Sequence, residues 1–461
     1  MPDNRSEEPS QRFEIPLLAG QPGRFILRPW FDRVTNHWVT RWYFPISRGW
    51  AAARAARGSR ERFYEQIRRD DVPAVLVDRL LEAMARAEER YQEATREWLR
   101  AFFESHEATQ DELTRAEEER EKAAQAFMMV RAYVVPIHLT RTLPPVAYDI
   151  VAPETLERTH GYRRAGTGAA FPAPDSPRIT ESNRIEGPSG TLSWLRWPSP
   201  MIGTAWARVY APPQVEDPAT LIYLHGIGME TEMWQMQSDP LDGLAGTAGV
   251  RIVRPEGPWH GRRMLFGYHG GEPAFAFAPK GYIELTQCWV SEVTQLIEWA
   301  RATSRGPVAI GGVSLGALTS QVVATAAQVW PQRLHPDALF LVATSGDVVE
   351  TCFAGSLATG VGLMKALQAG GWTEEKLILW RKLLEPQGPP VIPPERIVML
   401  LGADDTVTPF AGGLALARAW EVPEENLFVH HRGHFSTPLG MNQDDASIRR
   451  LVGILKGLTP S

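Results

Sequence analysis

The chain has 461 residues, of which 44% are hydrophobic and 22% charged, with a net charge of −6. That is enough to bury a sizeable core in two or three domains, and the acidic balance argues against a nucleic-acid-binding surface, which would be basic. Its two cysteines, Cys288 and Cys352, exclude a disulfide framework and a multi-cysteine metal site and read as buried thiols in apolar helices.

In chain order, the polar start lacks the basic residues and apolar core of a secretory signal. No stretch approaches the roughly 18 uninterrupted apolar residues of a membrane span. A cytoplasmic location is the expectation. Residues 1–57 form an aromatic and basic segment in which Trp30, Val34, Trp38 and Trp42 recur at intervals of four, interleaved with Arg28, Arg33, Arg41 and Arg48. The spacing predicts a helix with one aromatic face. Two readings stay open: peripheral contact with a membrane surface, or docking on the rest of the protein with the arginines snorkelling to water.

Residues 58–134 read as a helical hairpin of two long helices, 59–104 and 109–134. Leu76, Leu80, Met84, Tyr91, Trp98 and Phe102 mark the apolar stripe of the first. Thr109-Gln110-Asp111-Glu112 has the form of a capping box opening the second. The charge run from Glu117 to Lys122 reads as a solvated face. Whether the hairpin covers a site or joins two copies into a homodimer is left open. Residues 135–189, rich in proline and glycine, read as a linker across the surface.

Residues 190–461 carry the chemistry. Alternating patterns over 190–197 and 205–210 predict antiparallel strands. The apolar run 220–224 leads into His225-Gly226-Ile227-Gly228. A strand over 250–255 precedes Pro258-Trp259-His260-Gly261-Arg262-Arg263, which puts His260 and Arg262 near a substrate cleft. There they either pair with an anionic substrate group or tie down the loop that follows. A helix over 283–301 then leads to Val308-Ala309-Ile310-Gly311-Gly312-Val313-Ser314-Leu315-Gly316, a buried strand ending in G-x-S-x-G before an apolar helix. In that context the pentapeptide is a nucleophile elbow. A further strand, 338–343, is followed by a helical insertion over 350–390, where a lid would sit. The strand 396–401 ends at Asp404-Asp405, and the strand at 427–429 runs into His430-His431-Arg432-Gly433-His434.

Serine, aspartate and histidine, each just past a strand and in that order, match the chain order of an α/β-hydrolase. The fold expected is α/β: a mostly parallel doubly wound sheet with an N-terminal helical extension. The candidate catalytic residues are Ser314, Asp405 and His434, with the amides of Ile227 and Leu315 as an oxyanion hole and His225, Gly226, His260 and Arg262 as cleft candidates. His434 is preferred over His430 and His431 because it follows Gly433 on the loop past the strand. The chemistry calls for no cofactor and no metal.

The set Arg48-Gly49-Trp50, Ser199-Pro200-Met201, Leu224-His225-Gly226-Ile227-Gly228, Pro258-Trp259-His260-Gly261-Arg262-Arg263, Gly312-Val313-Ser314-Leu315-Gly316 and Arg432-Gly433-His434 resembles the abhydrolase-domain-containing family of formerly unknown function. The resemblance covers about 190–458 and, faintly, 25–50. It implies a serine hydrolase acting on lipid-type acyl esters. The superfamily's G-x-x-D pattern, counted from Gly402, selects Asp405 over Asp404. Amide hydrolysis and acyl transfer use the same triad and remain alternatives, as does a non-catalytic binding role.

Overall fold

The computed structural model describes residues 23–229 and 240–458. Within them a ten-stranded sheet runs in the order β1-β3-β4-β6-β5-β7-β8-β9-β10, with β2 paired to β3. β3 (Gly190–Pro198) and β4 (Thr204–Ala211) form the antiparallel edge with β1 (Thr180–Glu181) and β2 (Ile185–Gly187). β4 also pairs antiparallel with β6 (Arg251–Pro255). From β6 onward the sheet is parallel through β5 (Thr220–Leu224), β7 (Val308–Val313), β8 (Ala338–Val342), β9 (Ile397–Gly402) and β10 (Leu427–His430). β5, β6, β8 and β9 are buried along their whole length because helices cover both faces of the sheet, and β8 and β9 accordingly read as unbroken apolar runs; in β6 the buried Arg251 and Arg254 are paired with Thr220 and Asp242. Among the described residues no helix is long and apolar enough to cross a membrane.

The N-terminal extension comprises α1 (Pro29–Trp38), a π-helical turn (Val39–Tyr43), α2 (Phe44–Ala56) and α3 (Arg60–Ile67). Pro45 does not break this run: it follows the π turn directly, and the Arg41 carbonyl, which its missing N–H would have bonded, accepts from His138 Nε2 at 2.9 Å instead. At α1 the aromatic face does not dock on the protein: Trp30, Val34 and Trp38 are exposed, and the buried residue of this helix is Asp32. Residues before 23 lie outside the described region.

The hairpin consists of α4 (Ala74–Leu99), continued by a π turn to Glu104, and α5 (Gln110–Met129). The helix expected over 59–104 is two helices. α3 stops at Arg68, in the left-handed region, and α4 restarts after Pro73, which cannot continue a preceding helix. The capping box is present: the Thr109 hydroxyl accepts from the Glu112 amide at 3.3 Å, and Glu112 Oε2 accepts from the Thr109 amide at 2.8 Å. The charge run is not wholly solvated. Glu117 and Arg120 are buried and paired at 2.9 Å, with Arg120 over the rings of Trp98 and Trp194. Burial alone would push the Glu117 carboxyl up, but Arg120 and Arg208 hold it at about 2.

The stretch 135–189 is no simple surface linker. It carries short helices at Val135–Thr140 and Pro153–His160, and it buries Leu143, Val146, Leu156 and Phe171. The Phe171 carbonyl accepts from the indole of Trp330, and the Ala147 amide donates to Glu272. Single apolar anchors in short helical turns and irregular segments give no periodicity to read. The insertion after β8 folds as the helices α6 (Val348–Ala354), α7 (Ser356–Val361), α8 (Leu363–Ala369), α9 (Glu374–Ile378) and α10 (Arg381–Leu384).

Candidate active site

β7 ends at Val313, and the next residue, Ser314, opens the helix Leu315–Ala326 with φ 55° and ψ −118°. A serine at positive φ is strained, and strain of this kind persists only where the surroundings enforce it. Here they do. A Cβ on Gly312 would lie 2.7 Å from the Leu224 carbonyl oxygen and one on Gly316 2.4 Å from it, so only glycines let strand β5, strand β7 and the helix meet this closely. The turn lifts the Ser314 hydroxyl off the sheet at the N-terminus of a helix.

The loop after β10 brings His434 back over this turn. Its Nε2 lies 2.9 Å from Ser314 Oγ, and its Nδ1 lies 2.8 Å from Asp405 Oδ2. Asp405, past the end of β9, is fixed in turn. Its Oδ1 accepts from the amides of Val407 at 2.8 Å and Thr408 at 2.9 Å, and the Thr408 hydroxyl sits 2.9 Å from its Oδ2. A carboxylate with its lone pairs so committed holds the Nδ1 proton and leaves Nε2 free to accept from serine. Ser314, Asp405 and His434 are all buried. The rivals lie elsewhere: Asp404 is exposed, His430 faces Asp444 at 3.6 Å, and His431 is exposed.

Gly226 lies against the serine, its missing Cβ 3.5 Å from that of Ser314, and Ile227 and Leu315 border the same pocket. His225 and His260 do not reach into this pocket; they brace the turn beside it. The Gly257 amide donates to His225 Nε2 at 2.9 Å, and His225 Nδ1 donates to the Gly226 carbonyl at 2.8 Å. The Gly228 amide donates to His260 Nε2 at 3.2 Å, and His260 Nδ1 donates to the Pro258 carbonyl at 2.8 Å. Burial pushes His225 down to about 4 and His260 well below the ordinary range, so both rings are neutral, as these acceptor roles require.

Arg262 is not in the cleft. It pairs with the buried Glu256 and lies 4.7 Å from the Trp98 ring and 4.3 Å from the Trp194 ring, which fastens the helical hairpin to the sheet. Neither open reading for the arginines after β6 is what is observed: Arg262 ties the hairpin to the sheet, not the loop that follows. Arg263 is likewise spent on Glu292, at 2.6 Å.

From Ser314 an apolar pocket extends beneath the insertion, with about 850 Å³ of free space including its mouth. Phe275, Leu318, Leu357, Leu363, Leu367 and Leu377 line it. The one cysteine on its wall, Cys352, is held protonated, because burial pushes its thiol up to about 12.

Two parts of the site have no signal in the sequence. Tyr43 donates its hydroxyl to the Gly228 carbonyl at 3.1 Å, and Asp32 accepts from the loop that carries His434.

A mostly parallel sheet in this order, with serine on the turn after β7 and aspartate and histidine past β9 and β10, is the α/β-hydrolase fold. Among solved structures, the chain is similar to a cold-adapted esterase from an Arctic intertidal metagenomic library, at 16% identity and TM-score 0.39 over 58% of this chain and 96% of that one. It is similar to acetyl xylan esterase 1 from Thermoanaerobacterium sp. JW/SL YS485 at 13% identity and TM-score 0.42, over 67% and 96%. It also matches an acylaminoacyl peptidase from Pyrococcus horikoshii at 12% identity and TM-score 0.41, over 62% and 49%. Likeness at this level assigns no activity. No family model and no curated protein matches the chain.

Proposed function

We propose that the protein is a serine hydrolase that cleaves carboxylic esters with an apolar acyl group through an acyl-enzyme. The observation that carries the reading is the line Ser314 Oγ, His434 Nε2 and Nδ1, Asp405 Oδ2, with steps of 2.9 and 2.8 Å, at the mouth of an apolar pocket. Serine is a weak nucleophile at neutral pH and needs a base within hydrogen-bond reach. His434 takes the Ser314 proton as Oγ attacks the ester carbonyl, and Asp405 stabilises the imidazolium that results. The oxyanion is received by the amides of Ile227 and Leu315. The first sits on the turn braced by His225 and His260; the second is an unpaired donor in the first turn of a helix. One such donor is worth about 3 kcal/mol of barrier. His434 then protonates the leaving alkoxide. In the second half-reaction it activates the water that releases the acid and frees Ser314.

The acyl chain lies in the pocket under the insertion, which shields the acyl-enzyme from bulk water. The motifs around His225, His260, Ser314 and His434 support placing the chain with the abhydrolase-domain-containing group. The test is turnover of p-nitrophenyl esters of graded chain length: medium or long acyl chains should exceed acetate in kcat/KM, and Ser314→Ala should abolish turnover. Absence of turnover on every ester, or undiminished turnover by Ser314→Ala, overturns the reading. Parallel assays on p-nitroanilides and with alcohol acceptors separate ester hydrolysis from amide hydrolysis and acyl transfer.

A further inference from the structure

The loop that carries His434 leaves β10 at His430 and must hold the imidazole between Asp405 and Ser314 without a strand partner of its own. What holds it comes from the other end of the chain. Asp32, in the first turn of α1, accepts from the Gly433 amide at 3.2 Å, the Phe435 amide at 2.6 Å and the Ser436 amide at 3.0 Å, and from the Ser436 hydroxyl. These amides lie on both sides of His434, and their sequence distance from Asp32 is 401 to 404 residues. The Ser436 hydroxyl also accepts from the Gly433 amide at 3.0 Å, which closes a ring of bonds around the residue that carries the imidazole. The fit is close enough to require a glycine: a Cβ on Gly433 would meet Asp32 Cγ at 2.4 Å.

We infer that Asp32 is a positioning residue for His434, so that the N-terminal extension completes the active site instead of merely covering it. The inference rests on the serine-hydrolase reading above. Asp32 is buried, and bonds from several backbone amides to one carboxylate are charge-assisted and stronger than neutral ones. They fix the backbone before and after His434. The same extension reaches the opposite side of the site, where Tyr43 donates to Gly228 and the Phe44 ring packs against that glycine. Both loops that close over Ser314 are therefore held by helices that precede the catalytic sheet by more than a hundred residues. Asp32 touches neither Ser314 nor the pocket, so it acts through His434 alone.

The experiment compares the full chain with Asp32→Asn, Asp32→Ala and Ser436→Ala. Active sites are titrated with a fluorophosphonate, and kcat and KM are measured per titrated site on a p-nitrophenyl ester. Asparagine keeps the shape but turns an N–H₂ toward amide donors. A displacement of about 1 Å at a catalytic group can cost about 10²-fold, so Asp32→Asn should lower kcat and the labelling rate constant together by roughly 10- to 100-fold, with KM nearly unchanged. Ser436→Ala, which removes one bond of the ring, should move both in the same direction by a smaller factor. The control is Arg54→Ala, which breaks the Arg54–Glu88 ion pair elsewhere in the extension. It should lower Tm without slowing labelling. Hydrogen exchange at Gly433, Phe435 and Ser436 should accelerate in Asp32→Asn and not in Arg54→Ala.

Wild-type kcat per titrated site in Asp32→Asn overturns the inference while leaving the serine-hydrolase reading intact. Should the Asp32 variants fail to fold, wild-type kcat in Ser436→Ala overturns it equally. If the unaltered protein does not react with fluorophosphonate at all, the serine-hydrolase reading falls, and the role of Asp32 falls with it.

Discussion

Replacing Asp405 by asparagine changes one atom and should disable the site. In the native arrangement Oδ1 is committed to the amides of Val407 and Thr408, and Oδ2 faces His434 Nδ1. An asparagine keeps its carbonyl where the two amides point, which puts its N–H₂ 2.8 Å from Nδ1, where Oδ2 had been. Two donors cannot face each other, so the imidazole proton moves to Nε2. Nε2 then cannot accept the Ser314 proton. The alternative, with the amide flipped, leaves the N–H₂ against two buried backbone donors at about 1–3 kcal/mol each, so the flip does not rescue the tautomer. The corresponding change in the worked serine-protease triad costs about 10⁴-fold in kcat, and four decades correspond to about 5.4 kcal/mol of barrier. Asp404 is exposed and one residue away, which makes Asp404→Asn the matched control; it should stay within about threefold of wild type, as a surface change within ±0.5 kcal/mol does. The assay is kcat on p-nitrophenyl butyrate for both variants, with Tm measured to show that each is folded. A loss in Asp404→Asn larger than that in Asp405→Asn, or a loss below tenfold in Asp405→Asn, refutes the reasoning.

Filling the pocket should change selectivity more than rate: Ala358→Phe, on the pocket wall, should cut kcat/KM for long acyl esters by at least tenfold while sparing acetate, read from the chain-length series. Glu385 is pushed up to about 7, chiefly by burial, and its Oε1 accepts from the amides of Val348 and Val349, with Asp347 and Arg381 as its charged neighbours. Below its ordinary range the group is protonated in both folded and unfolded chains. As pH rises toward 7 the unfolded chain gives up this proton first, so the native state loses stability, and above 7 the loss is complete. Glu385→Gln keeps the acceptor oxygen and removes the titration, so the Tm of wild type relative to the variant should fall between about pH 4.5 and 7 and stay level above. Arg262→Leu should destabilise the protein by about 3–5 kcal/mol, because Glu256 is left buried and unpaired, yet leave KM unchanged; chemical denaturation and kinetics on the same preparation separate the two.

What the sequence made legible is what is written locally. Gly312, Ser314 and Gly316 sit within five residues at the end of an apolar run, because the crowding that needs glycines is created by the turn itself. His434 also announces itself just past a strand, whereas the strand end at Gly402 offers Asp404 and Asp405 alike, and only the resemblance to the superfamily's G-x-x-D pattern separates them. The parts that escaped are made by partners far apart in the chain. Glu117 and Arg120 look like members of a solvated charge run until Trp98, Trp194 and Arg208 close over them. Arg262 looks like a cleft cation until Glu256 and three tryptophans from the hairpin and the sheet edge surround it. The spacing of Trp30, Val34 and Trp38 marks an aromatic face, but the helix is anchored by the single acidic residue between them, and no periodicity marks Asp32.

The most direct test of the proposed function is the mass of the intact protein after exposure to a fluorophosphonate, followed by peptide mapping. The account predicts one adduct per chain, located on Ser314, absent from Ser314→Ala and from heat-denatured protein. An unmodified wild-type chain, or an equal yield of adduct on Ser314→Ala, would contradict it.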